Sequence, residues 1–287
     1  MTTRTVTSRD GTSIGLTRLG EGPGVVLVQG AMGTADHFSQ LAAALASKFT
    51  VWVPDRRGRG LSPLPYRPEH SIARDVEDLD AVLAHSGARR VFGLSSGAVI
   101  ALTAAAGGST IDRLAVFEPP LYTTLPLPAG ELKRFEAALA RGDTAAALTA
   151  AGKAVALVPA MNWLPRWFVE LIVRRVIAAG TPSGEPSLAE IALTLQYDFR
   201  IVSEQHGKLE TWRDLRGEVL RLGGSKSPRY LAEDLDALQR ALPSAGRVTL
   251  PGLDHSASWD PHPQRNRLGN PQAVAIELVR FFNSGAS

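Results

Sequence analysis

The first 120 residues alternate between short apolar runs and longer segments with helical spacing. The runs GVVLVQG at 24–30 and FTVWVPD at 49–55 are continuous, which is typical of strands buried on both faces of a parallel sheet. Helical patterns separate such runs, as in SIARDVEDLDAVLAHSG at 71–87. Because repeated strand–helix units require right-handed crossovers, this alternation predicts an α/β fold with a mostly parallel, doubly wound sheet.

The middle of the chain follows a different pattern. From Leu121 to about Leu215 we find helical stretches and no convincing strand, and the strand–helix order then resumes with EVLRLGG and GRVTLPG. A strand pair around Asp10-Gly11 brings the number of predicted strands to eight. We therefore predict an eight-stranded core from residues 1–120 and 216–287. An all-helical cap, residues 121–215, is inserted between the sixth and seventh strands.

Composition excludes several classes of function. The chain has no cysteine, which excludes a disulfide framework, thiol catalysis and cysteine-based zinc sites. The net charge of +3 is small and its arginines are scattered, so we expect no nucleic-acid partner. No apolar run approaches the ~18 residues of a membrane span, and the first residues lack a signal-peptide core. We expect a cytoplasmic protein without a membrane partner, a metal or a cofactor, since G-x-G-x-x-G is absent as well.

A serine stands between two glycines where a predicted strand runs into a predicted helix, in Gly93-Leu94-Ser95-Ser96-Gly97. A nucleophile elbow needs residues without side chains two positions before and after the nucleophile, so that strand and helix can approach. The same spacing in isolation would indicate only a turn. In this context it predicts that Ser95 is a nucleophile at a helix N-terminus, with the N–H of Ser96 free to bind developing negative charge.

Four segments together resemble the α/β-hydrolase fold family over nearly the whole chain. They are VVLVQGAMG, which resembles the oxyanion loop, the loop VPDRRGRGLS after the fourth strand, the elbow GLSSG, and VTLPGLDHS, which resembles the strand-8 segment that ends at the family's catalytic histidine. The resemblance implies that the N–H of Ala31 joins that of Ser96 as the oxyanion hole. Gln29 stands where the family usually has histidine, which we expect to change the support of the loop but not the mechanism.

His255 is the predicted general base among six histidines. It follows the last strand and a glycine turn, and it comes after the nucleophile in the order that this fold uses. The other histidines fall in helices, in the cap or in loops elsewhere. We expect His255 to take the proton of Ser95 and to deliver it to the leaving group.

The acid of the triad is displaced from its usual place in the family. The loop after the seventh strand, Gly223 to Pro228, contains no carboxylate. Glu118, at the end of the sixth strand, remains as the predicted third member, since certain dehalogenases and lactone hydrolases of the family draw their acid from that strand. The alternative is a structural role for Glu118, in an ion pair with Lys226.

The predicted activity is that of a serine hydrolase acting on an ester, lactone or thioester through an acyl-enzyme on Ser95. Aromatic residues in the cap favour an apolar, ring-sized substrate, with pocket candidates Met32, Trp163, Trp167 and Tyr197. Because the fold also serves other functions, a lyase, a cofactor-free oxygenase or a small-molecule receptor with a modified triad stays open as the alternative. The sequence also leaves open whether the chain forms a homo-oligomer.

Overall fold

The structure is a computed structural model that describes residues 2–63, 67–157, 161, 163–180, 187–263 and 266–284. Its strands are, in chain order, β1 (Thr2–Thr7), β2 (Ser13–Leu19), β3 (Gly24–Val28), β4 (Thr50–Pro54), β5 (Arg90–Leu94), β6 (Arg113–Phe117), β7 (Glu218–Gly224) and β8 (Gly246–Leu250). The α-helices are α1 (Ser39–Leu45), α2 (Ile72–Ser86), α3 (Ser96–Ala106), α4 (Ala129–Ala140), α5 (Thr144–Val155), α6 (Arg166–Ala178), α7 (Leu188–Gln205), α8 (Arg229–Ala241) and α9 (Pro271–Asn283). Short 3-10 helices lie at Ala35–Phe38 and Leu209–Trp212.

These strands form one sheet in the order β1-β2-β4-β3-β5-β6-β7-β8. The pairs β1–β2 and β2–β4 are antiparallel, and every other neighbouring pair is parallel. The predicted α/β sheet is therefore confirmed. Because β5 to β8 are parallel neighbours, their carboxyl ends meet along one stretch of the sheet edge.

Helices cover both faces of the sheet. Because successive strand residues point to opposite faces, neighbouring residues of one strand pack against different helices. In β3, Val25 and Leu27 join the apolar cluster of α1 and α9. Val26 and Val28 join the cluster of α2 and α3 on the other face. This double coverage explains why the strand sequences are continuous apolar runs.

Between β6 and β7, every regular element of the described residues is helical, as predicted. We call α4 to α7 the inserted helices. They have an apolar cluster of their own, made of Phe135, Ala138, Ala147, Ala150, Ala151 and Leu195. None of the described helices is both long enough and apolar enough to cross a membrane.

Candidate active site

Ser95 lies at the turn between β5 and α3. Its φ of 55° and ψ of −123° are strained for a residue with a side chain. Its N–H donates to the carbonyl of Phe117 at the end of β6 (2.9 Å), and its own carbonyl accepts from Ala98 N–H (2.9 Å) in the first turn of α3. These bonds hold the strained residue where the strand ends, with its side chain only partly buried.

The two glycines of the elbow stand where no other residue fits. A Cβ atom on Gly93 would lie 2.7 Å from Cα of Ala98, and one on Gly97 would lie 2.4 Å from the carbonyl oxygen of Gln29. Both distances are shorter than protein Cβ atoms tolerate against backbone. The interpretation that the glycines let strand and helix approach is confirmed at Gly93, and the structure adds that Gly97 makes room for the backbone at Gln29.

Glu118 follows β6 directly and contacts His255. Its Oε2 lies 2.8 Å from Nδ1 of His255, although the two residues are 137 positions apart. Its Oε1 accepts the N–H of Gly224 at the end of β7 (2.7 Å). The predicted contact is confirmed. The alternative ion pair with Lys226 is not among the contacts that the described residues make with Glu118.

Backbone geometry and burial both distinguish Glu118 from an ordinary surface carboxylate. It is 1% exposed, and its φ of 45° lies in the left-handed region. His255 lies in the loop after β8, with its side chain 14% exposed. Ser95, Glu118 and His255 thus follow β5, β6 and β8, whose carboxyl ends share one edge of the sheet, where ligands of such sheets bind.

The backbone N–H groups of Ala31 and Ser96, the predicted oxyanion donors, belong to two segments that lie beside Ser95. A Cβ on Gly30 would lie 2.8 Å from Cβ of Ser95, so the loop that carries Ala31 runs beside the elbow. Ser96 N–H is in the first turn of α3, where no intrahelical acceptor exists. Within the part of the chain that the structure describes, neither the Ala31 N–H nor the Ser96 N–H donates to a protein acceptor.

Gln29, at the family's usual histidine position, is fully buried. Its Nε2 donates to the carbonyl of Pro54 at the end of β4 (2.7 Å). The side chain therefore ties the oxyanion loop to the neighbouring strand.

The four pocket candidates divide into two pairs. Met32 packs against the cluster of the inserted helices, and Tyr197 is 3% exposed with its ring 4.3 Å from that of His70. Trp163 and Trp167, in contrast, are 89% and 67% exposed.

The prediction that both tryptophans contribute to a substrate pocket stays a prediction, and neither side chain lies in the packed interior of the inserted helices. Val169 is the buried residue of α6. Residues two positions apart on a helix point in nearly opposite directions, so Trp167 faces away from the packed side. Aromatic content alone did not indicate which face of the helix is covered.

Sequence reasoning missed a buried ionic group beside the elbow, which we call the Asp198 cluster: Arg56, Arg59, Ser96 and Asp198. Oδ1 of Asp198 accepts from Nη1 of Arg56 (2.7 Å) and from the Ser96 hydroxyl (2.7 Å). Its Oδ2 accepts from Nη2 of Arg59 (2.5 Å). Asp198 lies on α7, so a single carboxylate connects the inserted helices to the loop after β4 and to the start of α3.

The charges of the cluster are buried and mutually compensated. Burial alone would raise the pKa of Asp198, but Arg59 and Arg56 outweigh it and hold the pKa below its ordinary range. Burial lowers the pKa of Arg59 to about 10, despite the attraction of Asp198. Asp75 lies 3.3 Å from Arg56, which leaves two carboxylates for two guanidinium groups.

Two signals in the sequence pointed to the cluster. The loop after β4 contains the positively charged residues Arg56 and Arg59. Both side chains are buried, so water cannot solvate their charges. Asp198 stands between Tyr197 and Phe199 in an apolar helical segment. A buried charge of either sign demands a partner, but the sequence does not say that these residues partner one another.

Comparison with known proteins gives a match along most of the chain. A model of the alpha/beta hydrolase family matches residues 25–266. The crystal structure of an alpha/beta hydrolase from Sphaerobacter thermophilus is 34% identical, with a TM-score of 0.77. That similarity covers 97% of this chain and 100% of the other.

More distant structures share the fold. An esterase from a Rhodococcus species is 20% identical with a TM-score of 0.67, covering 99% of both chains. An enol-lactonase from Burkholderia xenovorans is also 20% identical with a TM-score of 0.67, covering 98% of this chain and 100% of that one. An uncharacterized hydrolase of Bacillus subtilis, YraK, is 41% identical over 86 residues, which span 29% of this chain and 32% of that protein.

Proposed function

This chain belongs to the alpha/beta hydrolase family, and from that premise we propose that it is a serine hydrolase. It cleaves an ester, lactone or thioester of an apolar small molecule through an acyl-enzyme on Ser95. The observation that carries the proposal is the 2.8 Å contact between Glu118 Oε2 and His255 Nδ1. A carboxylate on Nδ1 fixes the tautomer in which Nε2 can accept a proton from a serine hydroxyl.

In the first half of the reaction, Ser95 Oγ attacks the substrate carbonyl while His255 Nε2 takes its proton. A bond forms between Oγ and the carbonyl carbon, and the carbonyl oxygen becomes an oxyanion that the N–H groups of Ala31 and Ser96 bind. The bond to the leaving group then breaks, and the imidazolium of His255 protonates the departing oxygen or sulfur. Glu118 stays ionised and stabilises the imidazolium.

In the second half, water replaces the leaving group. His255 accepts a proton from the water, whose oxygen attacks the acyl carbon of the acyl-enzyme. The bond to Ser95 Oγ breaks, the proton returns to that oxygen, and the carboxylic acid product leaves. For a lactone substrate, the alcohol and the acid belong to the same product molecule.

An apolar acyl group is supported by what surrounds the oxyanion loop. Ala31 and Met32 pack against the aromatic and alanine-rich cluster of the inserted helices. We propose that these helices form a cap over the carboxyl edge of the sheet, because Asp198 of α7 reaches the residue next to the nucleophile. The cap would exclude water from the acyl group and favour apolar substrates over charged ones.

The proposal is tested by steady-state hydrolysis of a panel of p-nitrophenyl esters, aryl lactones and thioesters by the wild type and by Ser95→Ala. Loss of the nucleophile costs on the order of 10⁶ in kcat in a well-studied serine protease. We expect a comparable loss here, at an unchanged melting temperature. Ser47→Ala, at an exposed loop serine, is the matched control and keeps full activity.

Two outcomes would contradict the proposal. Ser95→Ala with more than a tenth of the wild-type rate would remove Ser95 as the nucleophile. A wild type that hydrolyses nothing in the panel would favour the non-hydrolytic alternatives, a lyase, an oxygenase or a receptor.

A further inference from the structure

The Asp198 cluster contacts the peptide unit that carries the first predicted oxyanion donor and the side chain of the residue that carries the second. Nη1 of Arg59 donates to the carbonyl of Gly30 (2.7 Å) and to that of Gly33 (3.2 Å). The Gly30 carbonyl and the Ala31 N–H belong to one planar peptide unit, so a bond that fixes one group fixes the direction of the other. Arg59 therefore sets the direction of the first oxyanion donor.

The second donor is held from its side chain. Ser96 donates its hydroxyl to Asp198 (2.7 Å) and accepts from Arg56 (3.2 Å). Ser96 is 1% exposed, so its side chain has no solvent to bind instead. Arg56 also lies 3.4 Å from the carbonyl of Gln29, on the strand side of the same loop.

We propose that Asp198 is a positioning residue for the oxyanion hole. One of its oxygens holds Ser96, and the other holds the arginine that orients the Gly30–Ala31 peptide. The inference rests on the proposed serine hydrolase function, and it adds that a residue of the inserted helices sets catalytic geometry in the core. Asp198 itself touches neither nucleophile nor base in the described structure.

The geometry of the loop explains why such support is needed. Met32 has a φ of 62°, a conformation that a residue with a side chain adopts only when its surroundings hold it there. The Gly33 N–H donates to the Gly30 carbonyl across this turn at 3.3 Å. Arg59 donates to the carbonyls of Gly30 and Gly33, the first and last residues of this turn. These hydrogen bonds hold the turn in place of the backbone hydrogen bonds that a strand would make.

Removing one oxyanion donor costs about 10²–10³ in kcat in a characterised serine protease, and a misplacement of about 1 Å can cost 10². Asp198→Asn keeps the shape of the side chain but removes the charge and gives Arg59 or Arg56 a competing donor. We expect a loss of at least about tenfold in kcat with KM within threefold, because the oxyanion forms only in the transition state.

Asp78 on α2 offers a matched control, because it binds Arg57 of the loop that also carries Arg59. The pair is buried and bidentate (2.7 and 2.6 Å), and neither residue contacts the oxyanion peptides among the described contacts. Asp78→Asn therefore breaks a comparable pair. It should lower stability while leaving kcat within twofold of the wild type.

The experiment measures kcat, KM, the melting temperature and the inhibition constant of an aryl boronic acid, which forms a tetrahedral adduct on a catalytic serine. The variants are Asp198→Asn, Asp78→Asn, Ser96→Ala and Ser95→Ala. The proposal expects the boronate affinity of Asp198→Asn to fall by the same factor as kcat/KM. Ser96→Ala removes only the hydroxyl that Asp198 holds, and should lower kcat about fivefold or more even if Asp198→Asn does not fold.

The outcomes separate the inference from the function on which it rests. If Ser95→Ala is inactive while both Asp198→Asn and Ser96→Ala keep kcat and boronate affinity within twofold, the positioning role is overturned and the hydrolase function stands. If Asp198→Asn loses stability like Asp78→Asn with no change in kcat, Asp198 only fastens α7 to the core. If Ser95→Ala retains activity, the proposed function itself fails, whatever Asp198 does.

Discussion

Two buried carboxylates beside the elbow, Glu118 and Asp198, differ in what holds them. Glu118 accepts one bond from a backbone N–H and one from His255. Asp198 accepts from two guanidinium groups and a hydroxyl, so its partners are mostly charged side chains from other parts of the chain.

The difference teaches which of them the fold requires. Glu118 needs no cation to stay in place, since the ends of β6 and β7 hold it, so its charge is free to act on His255. The charge of Asp198 is bound to two buried arginines; without it, Arg56 would keep only Asp75 and Arg59 would lose the carboxylate that pairs with it. We therefore expect changes at Glu118 to affect turnover far more than stability, and changes at Asp198 to affect both.

The largest expected effect on kcat comes from removing His255, the residue that Glu118 contacts. His255→Ala should lower kcat by about 10⁵–10⁶, because loss of a triad histidine removes catalysis almost as completely as loss of the serine. Circular dichroism should show an unchanged fold. His85→Ala, on α2 against Trp52, is the control and should keep the wild-type rate; equal losses in the two variants would mean that His255 is not the base.

Glu118→Gln tests the first of the two buried carboxylates, for which we expect an effect on turnover and not on stability. Replacing a triad aspartate by its amide costs about 10⁴ in kcat in a serine protease, because the wrong histidine tautomer results. Here we expect a loss of at least about a hundredfold. The melting temperature should hardly change, since the amide oxygen can still accept the N–H of Gly224. A large fall in melting temperature with near-normal kcat would make Glu118 structural.

Asp198→Ala tests the second buried carboxylate, and the measurement is the free energy of unfolding in urea. Breaking a buried ion pair by removing one partner costs about 3–5 kcal/mol, and we expect a loss of that order at pH 7. The pKa of Asp198 is lowered in the folded state, so its stabilising effect is complete above its ordinary value of 3.8 and is lost as the pH falls through the lowered value. The difference between wild type and variant should thus shrink only below about pH 4; a difference that stays constant down to pH 2 would show that charge is not its origin.

The smallest effect is expected outside this pair, at the exposed tryptophans. Trp163→Ser and Trp167→Ser should leave kcat and KM within twofold for every ester, because both side chains are mostly exposed. A selective rise in KM for bulky esters would instead place these residues in the substrate pocket.

How far the sequence predicts this molecule depends on the range of the interactions. The elbow is local: the glycines two residues from Ser95 and the strand–helix junction all lie in one short stretch, so their roles followed from spacing. Glu118 was found over a separation of 137 residues because a histidine base needs an acceptor, the family's usual loop offers none, and some members of the family draw their acid from the sixth strand.

The Asp198 cluster was not predictable in this way. Arg56 and Asp198 are 142 residues apart, on a loop and on a helix whose relative placement no local pattern determines. For the same reason the sequence named Trp163 and Trp167 as pocket candidates without indicating that both side chains are mostly exposed. Periodicity identifies a helix, while tertiary packing decides which face is covered.

The most direct test of the central claim is the reaction of the protein with a fluorophosphonate, followed by peptide mapping of the adduct. A serine nucleophile activated by the Glu118–His255 pair predicts one equivalent of label on Ser95. In Glu118→Gln the same serine should be labelled at least about a hundredfold more slowly at neutral pH. An adduct on another residue, or a Glu118→Gln variant labelled at the wild-type rate, would contradict the claim that this pair activates Ser95.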